Sequence, residues 1–459
     1  LSSGEGLFIR WSTDISFSSS TIVAMTGSGT TYTGVIPAQG AGTTIYYYIL
    51  SSNKTESQLN SDKSTYGESA FDMGTLNLNT LVQSGSGNTN YSYTTTSNPV
   101  VVNSTGGTAS ASYATLKAAF DAINAGTHTG TITTLIEGNT TEIASASLNA
   151  SGSGSASYSS IFVQPNGGAF LVSGSIAGNG VITLNGADNT TIDGLNTGGN
   201  TLTVSNTSTS SSSNTSTIRF TNDAETNTIQ NCTISGSSIS STSGIIVFDD
   251  GAIFGNNNNT INNNTITAAG SNLPVNAIYS NEGVSPGNNT NTISNNNISD
   301  FFSATTSSTG IYLNAANDGW TISGNKIFQS ATRTTTTASL THRGIYIVSG
   351  SGYTVSGNII GYANSSGTGT TTYTSATTAT YVGIDLSLAS ITSSSITGNT
   401  IAGISFTTTA NTTGSKGIFS GIAMTTGLAS VTNNIIGVIS TGPISVVSNI
   451  SGSSGIDRK

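Results

Sequence analysis

From residue 191 onward one seven-residue phrase keeps returning: Thr/Ser, Ile/Val, any residue, Gly/Asn, Asn, any residue, Ile. It reads TINNNTI at 260–266, TISNNNI at 292–298, TISGNKI at 321–327, TVSGNII at 354–360, SITGNTI at 395–401 and SVTNNII at 430–436. TIQNCTI at 228–234 carries Cys232 in the Asn place, and a looser copy begins at Thr191. Successive starts lie 37, 32, 32, 29, 33, 41 and 35 residues apart. A second phrase, opening on Gly/Ala-Ile, alternates with the first at 244, 277, 310, 344, 383, 421 and 455. Two phrases interleaved at one period describe a stack of similar units, each burying its apolar face on the next.

The phrase has a direct physical reading. Side chains alternate between the faces of a strand, so the Ile in second place points inward and its neighbours outward. The Gly/Asn-Asn pair then turns the chain, because both residues tolerate left-handed backbone angles. The closing Ile faces inward again on the next strand. Stacked about 4.8 Å apart, Asn264, Asn296, Asn325, Asn358, Asn399 and Asn434 form a ladder. Their amides are expected to bond to one another and to turn backbone, which keeps buried polar groups paired. Cys232 ends that ladder as an apolar substitute; the competing reading, a reactive thiol, has no base or cation beside it in sequence. Length varies mainly between the Asn phrase and the next Gly-Ile, as at 328–343 and 363–382. These Ser/Thr-rich stretches are expected to protrude from one side of the solenoid.

Composition matters here because alone it points elsewhere. Ser, Thr, Asn and Gly number 76, 77, 48 and 55 of 459 residues, a bias that commonly means disorder. The repeat argues against that. Charged residues are only 7%, with Lys+Arg 11 against Asp+Glu 20 and a net charge of −9, which excludes nucleic-acid binding through basic patches. Two His and one Cys leave no His/Cys metal centre and no disulfide framework. No apolar run approaches the roughly 18 residues of a transmembrane segment. The first residues contain no recognisable signal peptide and read like the middle of a longer protein, and Gly455-Ile456-Asp457 opens a repeat that the sequence does not close.

These repeats resemble the right-handed parallel β-helix superfamily, whose members include pectate lyases, polygalacturonases, phage tailspikes and large secreted adhesin-like bacterial surface proteins. The resemblance covers roughly 105–459 and implies an all-β solenoid with a short capping helix at its N-terminal end. SYATLKAAFDAINAG fits that role over 112–125, with Leu116, Phe120 and Ile123 as an apolar stripe, Ser112 as the cap and Gly126 at the end. Residues 131–152 and 160–174 are expected to form the first coils. Residues 1–82 read as antiparallel β, in phrases such as GLFIRWSTD and TTIYYYILSS. They resemble the later strands of an immunoglobulin- or fibronectin-III-like module, sandwich-like but incomplete, followed by a linker over 83–104.

Several residues stand out as functional candidates. Polygalacturonase-like chemistry implies an Asp-Asp pair and a Gly-His-Gly phrase; only Asp249-Asp250 matches, and His342-Arg343-Gly344 sits in a stretch read as a protruding loop without a carboxylate partner. Counted from Gly244 and Ala277, Asp249 and Glu282 share one offset in adjacent coils, with Asp250 beside them and Asp223 one coil earlier. Such a column reads as exposed turn residues, as Ca²⁺ ligands, or as carboxylates at the roughly 5–5.5 Å separation of a retaining glycosidase. Tyr279, Tyr312 and Tyr346 share one outward offset in three coils, and Trp320 and Tyr353 precede their Asn phrases in the same way. They read as a stabilising aromatic ladder or as a flat strip for a glycan or a neighbouring subunit. The expected function is an extracellular structural or adhesive surface protein, non-enzymatic and capable of self-association. A polysaccharide lyase or hydrolase is the alternative, and Ca²⁺ the only cofactor considered.

Overall fold

The computed structural model describes residues 4–37, 39, 42–68, 91–94, 98–281, 287–315, 317–410, 416–438 and 442–448. The chain divides into two compact units, Leu1–Ser97 and Asn98–Lys459.

In the first unit, alternating apolar residues build an antiparallel sheet in the order Thr21–Ala24, Gly6–Ser12, Thr44–Ser52, Tyr91–Thr94. Phe8, Phe17, Ile22, Tyr48 and Leu50 form its core together with Leu59. Leu59 belongs to a helix, Glu56–Tyr66, that the sequence reading did not anticipate. A reciprocal capping box starts it: the Thr55 hydroxyl accepts from the Gln58 N–H, and the Gln58 side chain accepts from the Thr55 N–H. Arg10 is fully buried inside this unit and bonds to Ser20, Tyr48 and the Glu68 carboxylate.

The second unit is a parallel β-solenoid. One coil illustrates the rest: Thr260–Asn262 lies in a first sheet, Thr265–Ala268 in a second and Asn276–Ser280 in a third. Ile261, Ile266 and Ile278 point inward from the three sheets and are fully buried. Each stacks on its equivalent in the coils before and after, as Ile229, Ile261 and Ile293 do. The three sheets contain twelve, ten and nine strands among the described residues. Burying one such Ile contributes about 1.5–3 kcal/mol, so a column of them is the main stabilising term.

The N-terminal end is closed by a helix, Leu116–Asn124, that buries Leu116, Ala119, Phe120 and Ile123. Its cap is Thr115, not Ser112, which lies in the strand Ser110–Tyr113. The buried Glu142 carboxylate accepts from the backbone N–H groups of Leu116 and Lys117, at 2.9 and 3.0 Å. This places a negative charge where the helix dipole favours it. Part of the expected linker belongs to this cap. Val100–Gly107 forms a strand that pairs antiparallel with His128–Ile136, because Val100 and Val102 alternate into the core. Residues 69–90, which include the start of that expected linker, lie outside the described residues.

The stretches at 328–343 and 363–382 are not simple protrusions. Arg333–Thr335, Thr371–Ser375, Ile404–Thr408 and Ile444–Ser448 stack as a fourth parallel sheet. Their period-two pattern turns Tyr373 and Phe406 inward, and both are buried. The later coils are therefore four-sided where the earlier ones have three sides.

Candidate functional site

The two tight turns of each coil hold the most regular side-chain arrangement. At the turn from the first sheet to the second, Asn263, Asn295 and Asn433 have φ of 55–57°, and Gly324, Gly357 and Gly398 have φ of 63–66° at the same place. The left-handed residue is followed each time by the ladder Asn. The N–H and Nδ2 of Asn264 both donate to Oδ1 of Asn296, at 2.9 and 3.1 Å, while Nδ2 also donates to the Ile229 carbonyl at 2.9 Å. The same set links Asn296 to Asn325, Asn325 to Asn358, Asn358 to Asn399 and Asn399 to Asn434. Cys232 sits at the end of the ladder, its N–H donating to Oδ1 of Asn264 at 2.9 Å. Burial pushes its thiol up to about 12, which removes it as a nucleophile.

A second ladder, missed in the sequence, occupies the turn into the first sheet. Asn227 donates to Asn259 and Asn259 to Asn291, again through both N–H and Nδ2, and all three are fully buried. The register pairs Thr292 with Thr321 and Thr321 with Thr354, so the next two residues in this column are Trp320 and Tyr353. Both were expected on the outside; both are inside, 0% and 1% exposed. The Trp320 ring packs edge-on against Phe248 at 4.9 Å, and its Nε1 donates to the Asn288 carbonyl at 2.5 Å. The Tyr353 hydroxyl donates to the carbonyls of Asn317 and Ser349. They fill the space that paired amides fill in the earlier coils.

Tyr279, Tyr312 and Tyr346 share one register on the third sheet, but Tyr279, expected to face outward as a binding residue, is covered and only 1% exposed. Tyr312 and Tyr346 are half-buried and stacked at 4.9 Å with planes 26° apart, and Tyr279 meets Tyr312 edge-on at 5.1 Å. The Arg343 guanidinium lies over the Tyr346 ring at 4.2 Å. Ring faces are thus occupied by each other and by Arg343, whereas a flat sugar platform would leave them open. Burial pushes the Tyr312 phenol up to about 12. Arg343 and Lys416 both reach the buried Asp385 carboxylate, at 2.8 and 2.6 Å.

The register of the acidic residues differs by one from the offsets counted in the sequence. Ile246 pairs with Ile278, which brings Gly244 level with Asn276 rather than with Ala277. A slip of one residue transfers a side chain to the other face of a strand. The Asp249 carboxylate is engaged by the Arg219 guanidinium and by Asn214 Nδ2 at 2.9 Å. Asp250 is exposed and accepts from Asn281 at 3.4 Å. Asp223 accepts from the backbone N–H groups of residues 252–255. Glu282 lies outside the described residues. Among the described residues no group of three or more His, Cys, Asp or Glu is placed to hold a metal ion.

His342 is not in a loop. It lies in the strand Leu340–Ile347, 1% exposed, with Nδ1 at 2.7 Å from the Ser308 hydroxyl and Nε2 at 2.9 Å from that of Thr335. Burial and the neighbouring Arg343 lower its pKa to about 4. It stays neutral near pH 7 and stacks on Tyr373 at 5.5 Å. Its neighbour Arg343 does have a carboxylate partner, Asp385.

Fold and side-chain pairing together define a parallel β-solenoid stapled by asparagine ladders. Compared with protein-family models, with curated proteins and with solved structures, the chain matches none. No helix among the described residues is long and apolar enough to cross a membrane.

Proposed function

We propose that the chain works as an extracellular structural element, a stiff β-solenoid spacer of a surface or adhesive protein rather than an enzyme. The observation that carries this reading is the continuous stacking of ladders. Each coil is bonded to the next by backbone strands and by Asn amides buried out of reach of water. Repeats of this kind draw stability from each interface with a neighbour, and a pull along the axis loads all of these bonds together.

Charged groups support the same reading. Arg219–Asp249, Arg333–Asp300 and the Arg343–Asp385–Lys416 group hold coils together, and Asp249, on which the lyase or hydrolase alternative rested, is engaged by Arg219. The stacked tyrosines act within this scaffold as a stabilising ladder. Self-association or contact with neighbouring surface proteins is the partnership this reading implies. The antiparallel sheet of the first unit supports an immunoglobulin- or fibronectin-III-like module in the same chain as the spacer.

Single-molecule pulling of the intact chain tests the proposal. Unfolding in discrete, high-force steps of about one coil length is the expected outcome. Smooth extension at low force would refute the spacer, and depolymerisation of any substrate in a polysaccharide panel would restore the enzyme.

A further inference from the structure

The repeating phrase begins with Thr, and neither the ladders nor the core uses that residue. In the structure it forms a column on the outer face of the first sheet. Thr228, Thr260, Thr292, Thr321 and Thr354 pair in unbroken register, continued by Ser395 and Ser430. Two residues further along each strand runs a second column, with Ser294, Ser323 and Ser356 at its centre. The inward Ile or Val between them is fully buried from Ile229 to Ile396, so both columns face outward there. We infer that this outer face of the first sheet is an ice-binding surface.

Geometry carries the argument. Neighbouring coils repeat at about 4.8 Å and alternate residues of one strand at about 6.7 Å, so the face is a two-dimensional grid, with Thr hydroxyl and methyl groups in the first column and, after the amides of Gln230 and Asn262, hydroxyls in the second. Those two repeats are close to the oxygen repeats along two axes of hexagonal ice. Thr is stiff at χ1, and the strand fixes its backbone, so little freedom remains to be lost when water orders against it. Each methyl clears loosely held water while the adjacent hydroxyl joins a hydrogen-bonded layer.

Charge and shape point the same way. In the strands from Thr190–Asp193 to Ala429–Thr432 the two columns contain one charged residue, Asp193, whose carboxylate is held by Gln230, Asn231 and the Leu195 N–H. They contain no aromatic ring. A crystalline polysaccharide is usually gripped by aromatic platforms, and a charged partner by counter-charges; this face offers neither. The other outer faces are less regular. The second sheet begins with Thr203, Thr233 and Thr265 in one column but passes to Asn297, Lys326 and Ile359, the third presents Arg219, the tyrosines and Asp385, and the short Thr334, Thr374, Thr407 column of the fourth ends on Val447.

The test is partition of the intact chain into slowly growing ice, together with microscopy of single ice crystals near the melting point. Enrichment in ice several-fold above a non-binding control protein, with faceted crystals, is expected. Thr292→Lys and Thr321→Lys, each introducing a long charged side chain at mid-face, should abolish the enrichment while circular dichroism and Tm stay at wild-type values. Thr265→Lys, in the second-sheet column that already contains Lys326, should leave it unchanged. Wild-type protein that distributes like the control overturns the inference, as does full ice binding by both mid-face variants. Retention on crystalline cellulose or chitin without ice binding would replace ice by a polysaccharide.

Discussion

The two turns of the coil solve one packing problem in different ways. At the first turn the buried position is Asn from Asn264 to Asn434, and every step repeats the same amide bonds. At the second, Asn227, Asn259 and Asn291 do the same, and then the column passes to Trp320 and Tyr353. An Asn ladder is self-templating: each amide both donates and accepts, so one member defines what the next must be. An aromatic ring fills the volume and donates to a backbone carbonyl, as Trp320 does to Asn288 one coil earlier, which specifies no side chain there. The first turn is therefore constrained in sequence from coil to coil, and the second only in volume.

Asn325→Leu strikes the constrained turn at its middle and should have the largest effect. Oδ1 of Asn325 accepts from the N–H and Nδ2 of Asn296, at 3.0 and 2.9 Å, and its Nδ2 donates to Ile293 O and Asn358 Oδ1, at 2.8 and 3.0 Å. Asn296 Nδ2 keeps the Ile261 carbonyl and Asn358 Oδ1 keeps the residue 325 N–H, but leucine takes away the side-chain partners of the Asn296 N–H and the Ile293 carbonyl, at about 1–3 kcal/mol each. A loss of about 4 kcal/mol in urea unfolding is expected. A loss below about 1 kcal/mol would mean that volume alone is needed at the first turn too.

Trp320→Asn tests the converse. It removes the ring packed on Phe248, and truncating a buried Trp to Ala costs about 3–5 kcal/mol. Asn at this place can also extend the second ladder by accepting from Asn291. The expected loss is about 2 kcal/mol, clearly smaller than for Trp320→Ala in the same denaturation series. Equal losses would show that no ladder forms there.

The same contrast explains what could be read in the sequence. Asn264 to Asn434 stood out because an amide ladder fixes both the residue and the left-handed Gly/Asn before it. The second ladder was hidden, although Asn-Thr-Ile recurs at 227, 259 and 291, because Trp320 and Tyr353 break the pattern and rings look alike inside and outside. Tyr279, Tyr312 and Tyr346 share the register that their spacing gave, but register does not say whether rings lie flat, stack on each other or, as Tyr279 does, become buried. The offsets of the acidic residues were counted one residue out at Ile245-Ile246, two apolar neighbours that are both buried. Helix Glu56–Tyr66 buries only Leu59 and so has no apolar stripe; its one legible signal was the Thr55/Gln58 capping box.

Cys232→Asn is the gentlest intervention and the one that adds rather than removes a rung. The Cys232 N–H already donates to Oδ1 of Asn264, but its sulfur lies 3.9 Å from the Ile192 carbonyl. One coil later the equivalent carbonyl, Ile229 O, receives Asn264 Nδ2 at 2.9 Å. An Asn amide at 232 would donate to Ile192 O and to Asn264 Oδ1 in the pattern of every later step. Net gains from such bonds run at about 0.5–1.5 kcal/mol, so stability should rise by about 1 kcal/mol, read as a higher urea midpoint at unchanged m. The gain should fall by about half in an Asn264→Leu background, because the new amide would keep Ile192 O but lose the Oδ1 acceptor that makes it a rung. A gain undiminished there would show that pairing with the Asn264 amide contributes nothing at the ladder's end.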